Sequence, residues 1–346
     1  MKILALDPRN SDHHSDLFIV DTVGWTVEQM RVGYAPELHY VAEARELAVV
    51  ETSLQAVNGE RTRYWLKRYN AASLRLIGEH ETPVRPMYAG YPNRSTRVKS
   101  SHSGRYLYLL EAMPHPVEVG TFRLLTHRYD RLLERLEQGQ MAVDSCMVDF
   151  GQLGENEEDL YFHLACEFPN TVVFGRFSSP ELNWVRMDDL PARNYSLRET
   201  CGSYATKPSL TLFCIARNGA IYRVQRQPPA AELYLKLPLT SFQSIPINQL
   251  YGGGGRLFAG VSANEGERSL SLASEIWQIS LVEAEVARVI ELPFPVSNFV
   301  TTADGEYLVG VNPYNQTLLL VETDSGQVME MIENIGVSPA EVVLIP

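Results

Sequence analysis

Ser297-Asn298-Phe299-Val300-Thr301-Thr302-Ala303-Asp304-Gly305-Glu306-Tyr307-Leu308-Val309-Gly310-Val311 is the most legible stretch of the chain. Two apolar-rich runs, Ser297–Thr302 and Glu306–Val311, flank Ala303-Asp304-Gly305. An Asp-Gly step between such runs is a strong hairpin signal. A second pair of runs follows at Gln316–Ile332, so the segment reads as four consecutive antiparallel strands.

The same arrangement recurs upstream. Thr96–Ser101, the turn Ser101-His102-Ser103-Gly104 and Arg105–Glu111 repeat the first hairpin. The later pair of each unit falls at Leu17–Val32, Arg63–His80, Val117–Leu136, Thr171–Met187, Gly219–Lys236, Glu275–Leu292 and Gln316–Ile332, with starts 41 to 56 residues apart. A period of roughly 40 to 50 residues with four strands per unit is the signature of propeller blades. The expected fold is therefore all-β: a seven-bladed β-propeller, four antiparallel strands per blade, occupying residues 1–346 as one domain. The first unit starts at Lys2–Leu6 and lacks an innermost strand. Ala340–Ile345 supplies a run at the other end, so the C-terminal strand is expected to close the first blade and remove exposed sheet edges. One stretch departs from the pattern. Tyr129–Gln138 is rich in Leu, Arg and Glu, with Leu132, Leu133 and Leu136 at helical spacing, and reads as a helical end to the third unit.

The 346 residues carry a net charge of −12. That balance argues against non-specific nucleic-acid binding, which needs basic surface. No run approaches the roughly 20 apolar residues of a membrane span. The opening Met1-Lys2-Ile3-Leu4-Ala5-Leu6 reads as a strand rather than a secretion signal. The four tryptophans, Trp25, Trp65, Trp184 and Trp277, all fall in the later hairpins and are expected to pack between blades.

Four cysteines, Cys146, Cys166, Cys201 and Cys214, fall as two pairs on the arms of two hairpins, within reach of disulfide geometry. Disulfides imply an oxidising compartment, buried free thiols imply small hydrophobes, and a metal site through His163 and Cys166 lacks the usual spacing partners. Asp12-His13-His14-Ser15-Asp16 resembles a metal cluster but sits where a polar loop is expected. Gly252-Gly253-Gly254-Gly255 lacks the Lys and Ser/Thr of a phosphate loop and reads as a permissive turn before a strand. Asp149, Glu155, Glu157, Glu158 and Asp159 read as a solvated acidic loop. No nucleophile elbow or zinc-protease motif occurs, so no catalytic residue and no metal site is assigned.

Gly59-Glu60-Arg61-Thr62-Arg63-Tyr64, Thr82-Pro83-Val84-Arg85-Pro86, Gly90-Tyr91-Pro92 and Ser103-Gly104-Arg105-Tyr106-Leu107 together resemble the heavy chain of methylamine dehydrogenase and its aromatic-amine relatives. Glu322-Thr323-Asp324-Ser325-Gly326 and Gly336-Val337-Ser338-Pro339 are similar to that family's closing repeat, and Cys146/Cys166 to its blade disulfide. The resemblance implies a large subunit without a cofactor of its own, inactive alone. It would hold a small light subunit bearing tryptophan tryptophylquinone, which oxidises a primary amine and passes electrons to a copper protein or cytochrome. It implies a periplasmic hetero-oligomer, with Tyr34 of Gly33-Tyr34-Ala35-Pro36 lining the substrate channel. The alternative is a cytoplasmic propeller repurposed as a protein-interaction scaffold. A third class, an independent enzyme at the central channel, has no motif behind it.

Overall fold

Strands that bury both faces read as unbroken apolar runs, and strands with one wet face alternate. Leu257-Phe258-Ala259-Gly260-Val261 is of the first kind, and Val328–Ile332, alternating half-buried and exposed residues, is of the second. The computed structural model describes residues 1–7, 14–53, 63–82, 97–101, 103–114, 121–144, 146–149, 160–166, 171–178, 183–191, 200–205, 211–216, 218–226, 229–246, 250–263, 272–337, 339 and 341–346.

Among these residues the strands assemble into seven sheets. The first orders Glu341–Ile345, Lys2–Asp7, Ser15–Asp21 and Thr26–Val32. The second holds Tyr34–Val41, Glu46–Ser53, Arg63–Asn70 and Leu76–Thr82, and the third Arg97–Ser100, Tyr106–Pro114, Thr121–Asp130 and Arg135–Asp144. The fourth holds Cys146–Asp149, Leu160–Cys166, Thr171–Ser178 and Asn183–Pro191, and the fifth Thr200–Ala205, Leu212–Ala216, Ala220–Arg226 and Pro229–Lys236. In the sixth, Gln243–Ser244 and Leu250–Gly253 both pair with Arg256–Ala263, followed by Ala273–Ser280 and Glu285–Val296. The seventh holds Asn298–Thr301, Tyr307–Asn312, Thr317–Glu322 and Val328–Ile332. Strand pairs with a defined register are antiparallel. The result is an all-β, propeller-like fold of four-stranded antiparallel sheets. The chain divides into two compact units, residues 1–2, 8–191 and 345, and residues 3–7, 192–344 and 346.

Three pairs of neighbouring sheets share an apolar layer among the described residues. Odd residues Leu257, Ala259 and Val261, with Trp277 and Ile279, pack against Phe213, Ile215 and Ile221 of the fifth sheet. Even residues Phe258 and Ile276, with Ile290, pack against Phe299, Leu308 and Leu319 of the seventh. Val41, Ala48, Val50 and Leu66 of the second sheet meet Val98, Leu107, Leu109 and Tyr129 of the third in the same way. Each fully buried Leu, Ile or Phe contributes about 1.5–3 kcal/mol, so these layers are the main stabilising term.

Two sequence expectations are corrected. Tyr129–Gln138 is not helical: it is the end of Thr121–Asp130, a turn, and the start of Arg135–Asp144, paired in continuous register. Asp130 Oδ1 accepts hydrogen bonds from the Leu132 and Leu133 amides at 2.9 and 3.2 Å, and Glu134 takes φ 49°. This local cap reverses the chain before a helix can form. Trp25 does not pack between sheets: it ends a turn at φ 50° and is 38% exposed. Trp277 does pack there, buried in the layer between the fifth and sixth sheets, with Nε1 donating to Glu275 Oε2 at 2.7 Å.

The glycine run before the long sixth-sheet strand has a steric reason. Gly254 (φ +57°) and Gly305 (φ +73°) bring two turns into backbone contact, with the Gly254 amide donating to Ala303 O at 3.0 Å. A Cβ at Gly254 would lie 1.8 Å from Asp304 O, whereas Gly255 (φ +76°) has nothing within 4 Å of its position. Gly254→Ala is therefore expected to cost about 3 kcal/mol or more, because backbone must move. Gly255→Ala should cost only the left-handed conformation, about 1 kcal/mol. Chemical denaturation of the two variants decides it, and equal losses would show that contact between the turns is not what the glycines serve.

Candidate functional site

Because the strands alternate in direction, the turn before the second strand and the turn after the third lie at the same end of each sheet. A single backbone hydrogen bond recurs there. The residue just after the third strand donates to the residue just before the second: Thr22 N to Met1 O at 3.1 Å, Ala71 N to Arg45 O at 2.9 Å, Arg131 N to Arg105 O at 3.0 Å, Leu281 N to Gly255 O at 3.3 Å and Thr323 N to Glu306 O at 2.9 Å. The last residue of the third strand caps the turn. Asp21 Oδ1 accepts from Val23 N at 2.9 Å, Asn70 Oδ1 from Ser73 N at 2.9 Å, and Ser280 Oγ from Val282 N at 3.3 Å. Trp25, Leu74, Glu134 and Ala284 then close their turns with positive φ.

These caps fix the turn without help from its tip. The tips of the first, third and sixth sheets are apolar where polar residues are the rule: Val23 is 88% exposed, Leu132 76%, Leu133 66% and Val282 87%. By sequence, the turn of the third sheet reads as part of a helix. The signal that finds the tips is an Asp or Ser closing an apolar run, followed by Leu or Val.

Beneath the tips of the third sheet lies a buried ion network. Glu46, at the start of its strand, receives both Nε (3.0 Å) and Nη2 of Arg131, while Nη1 of Arg131 donates to Gly104 O. Arg68 Nη1 stands 3.7 Å from Glu46 and Nη2 3.2 Å from Glu134, with the guanidinium 5.7 Å from the Tyr129 ring. Nearby, Tyr106 lies between the Arg105 and Arg128 guanidinium groups at 4.8 and 5.0 Å. Burial disfavours the Asp130 carboxylate, yet the Arg105 hydrogen bond and the two turn amides hold its pKa below the usual range. This network joins the second and third sheets and is structural in its chemistry, with its charges directed at one another.

The sequence-predicted residues Tyr34 and the four cysteines fall on strands of the second, fourth and fifth sheets. Tyr34 opens the first strand of the second sheet, its backbone opposite Thr52, and the Gly33 amide donates to Glu51 Oε2 at 2.6 Å. Cys146 and Cys166 are direct backbone partners in the fourth sheet. Cys201 and Cys214 are not: Cys214 stands opposite Ser203, and the register slips between Thr200 and Gly202. His14 Nε2 lies 3.9 Å from Asp16 Oδ1, and Asp12 and His13 lie outside the described residues, as do Glu155, Glu157, Glu158 and Asp159. Among the described residues no three His, Cys, Asp or Glu side chains group as a metal site, and no helix is long and apolar enough to cross a membrane.

Comparison with solved structures shows likeness of fold to β-propeller proteins. The chain is similar to dihydro-heme d1 dehydrogenase NirN, solved in complex with DHE (TM-score 0.56, 11% identity, 99% of this chain and 74% of that one). It is similar to Saccharomyces cerevisiae Sqt1 (0.57, 12%, 95% and 81%) and to the β-propeller domain of Myceliophteria thermophila Cps50 (0.54, 14%, 88% and 88%). No protein-family model and no curated protein sequence matches the chain.

The Glu46 side chain is 11% exposed between arginines at 10 and 13%. Glu46→Ala leaves two buried guanidinium groups short of a counter-charge and is expected to cost about 3 kcal/mol. Glu134→Ala removes a carboxylate that is 68% exposed and should cost less than about 1 kcal/mol. Urea denaturation of both checks this, and a Glu46→Ala loss no larger than that of Glu134→Ala would exclude Glu46 as the anchor.

Proposed function

We propose that the chain is a seven-bladed propeller that works as a protein-interaction scaffold. The order Glu341–Ile345, Lys2–Asp7, Ser15–Asp21, Thr26–Val32 in the first sheet supports closure of that blade by the C-terminal strand. The observation that carries the scaffold reading is the exposed apolar tips of the first unit, Val23, Leu132 and Leu133, on capped turns that do not need them for folding. Exposed apolar side chains on a rigid frame are what a protein partner covers. A net charge of −12 favours a partner with a basic rim.

The double substitution Leu132→Ser, Leu133→Ser is expected to leave the denaturation midpoint within about 0.5 kcal/mol of the parent. It should weaken capture of the native partner at least about tenfold, equivalent to some 1.4 kcal/mol. Crosslinking in native cells followed by mass spectrometry identifies the partner, and titration of the purified pair gives the affinity. Unchanged affinity for a partner crosslinked at these turns would reject the tips as the contact.

A second reading has one observation in its favour. The direct pairing of Cys146 with Cys166 suits a cross-strand disulfide, as expected of a periplasmic heavy subunit serving a light subunit with tryptophan tryptophylquinone. Tyr34 would then line the amine channel, and electrons would leave through a copper protein or cytochrome. Unreduced intact mass spectrometry of the native assembly separates the readings. A small partner with crosslinked, oxidised tryptophans selects the dehydrogenase subunit. A chain with four free thiols and another client selects the scaffold.

A further inference from the structure

Among the described residues, the layer between the second and third sheets contains one polar side chain whose chemistry the packing leaves unmet. His127 lies two residues before Tyr129, on the same face of its strand, opposite Leu109 of the neighbouring strand and Gln138 of the outer one. It is 1% exposed, and among the described residues neither Nδ1 nor Nε2 has a hydrogen-bond partner. A neutral imidazole offers one donor and one acceptor, and leaving both unmet inside an apolar layer is unfavourable. Adding a charge there is worse.

Titratable groups stand on both facing surfaces. From the second sheet come Glu46 and Arg68, engaged with Arg131 and Glu134; His39, whose Nε2 lies 3.0 Å from Ser100 Oγ; His80, its ring 5.2 Å from that of Tyr129; and Tyr64. From the third come Tyr129 and, at the turn, Arg131 and Glu134. Glu37 and Glu111 hold register positions on these same two faces, opposite Val50 and Leu125.

We propose that His127 makes this seam an acid-sensitive latch: the neutral ring is held inside the apolar layer, and a proton on its second nitrogen drives it out and parts the two sheets. Burial is the physical cause and lowers its pKa from 6.5 to about 4. An opened seam takes the proton near 6.5. The latch is therefore fully closed above pH 6.5, loses stability as pH falls from 6.5 towards 4, and loses no more below that. At pH 5 the opening equilibrium is expected to rise about 20-fold over its value at pH 7 from this one group.

Hydrogen exchange of the full chain reads the opening directly. After correction for intrinsic exchange, amides of residues 106–110 and 127–130 should open about 20-fold more at pH 5 than at pH 7, and His127→Leu should abolish most of that rise. An equal rise in His127→Leu, or none in the parent, overturns the latch. Should His127→Leu fail to fold, the parent labelled on its eight histidines decides by nuclear magnetic resonance. A ring titrating near pH 4 supports the proposal, and all rings titrating near 6 or above overturn it. Neither readout depends on a bound partner, so the latch and the scaffold reading stand or fall separately.

Discussion

A sheet apolar on both faces cannot stand alone, and the rest of this structure follows from that constraint. Leu257, Ala259 and Val261 point one way along their strand and Phe258 the other, and each set finds cover in a different neighbouring sheet. Burying only one set would leave several large side chains in water, each at about 1.5–3 kcal/mol. Stacking sheets in sequence order satisfies both faces at once. The outermost strand of each sheet is released from the requirement. Thr26–Val32 is accordingly exposed at nearly every position, and Leu76–Thr82 alternates.

Once the apolar faces are committed to neighbours, polar chemistry is pressed to the sheet ends. There the backbone carries the repeat. The five recurring hydrogen bonds from the third strand's exit to the second strand's entry use Thr, Ala, Arg, Leu and Thr as donors and Met, Arg, Arg, Gly and Glu as acceptors. No side-chain motif could encode that bond, because main-chain atoms make it. The ion network follows the same logic: Arg131 leaves the third strand, reaches the Gly104 carbonyl of its own sheet, and spends its remaining donors on Glu46 of the second.

This explains what was legible in the chain and what was not. Asp304-Gly305 marked a true hairpin because a tight turn with φ +73° demands glycine. Of the tetraglycine run, Gly254 and Gly255 form the expected turn while Gly252 and Gly253 end a paired strand, and the contact with the Thr302–Gly305 turn was not readable, since that proximity arises only when two sheets stack. Tyr129–Gln138 misled because Leu132, Leu133 and Leu136 imitate helical spacing. The decisive residue was Asp130, whose carboxylate outcompetes helical hydrogen bonding for the next amides. His127 was invisible for a similar reason. Between Leu125 and Tyr129 it occupies an apolar position in a two-residue alternation, and a sequence cannot tell whether a histidine there finds a partner. The cysteines were legible as strand residues, because each lies in a short apolar run bounded by turns.

The separation of shape from side chain at the turns has a functional consequence. A tip whose geometry is set by a preceding Asp or Ser and by one left-handed residue can carry Val, Leu or a charge at nearly the same folding free energy. Substitutions there are decoupled from the apolar layers, where a single lost methylene is felt. A likeness of fold at 11 to 14% identity fits that separation: the layers hold the frame, and the loops are open to different chemistries. In this chain the network charges of the second and third sheets are turned inward on one another, while Val23, Leu132, Leu133 and Val282 are turned outward.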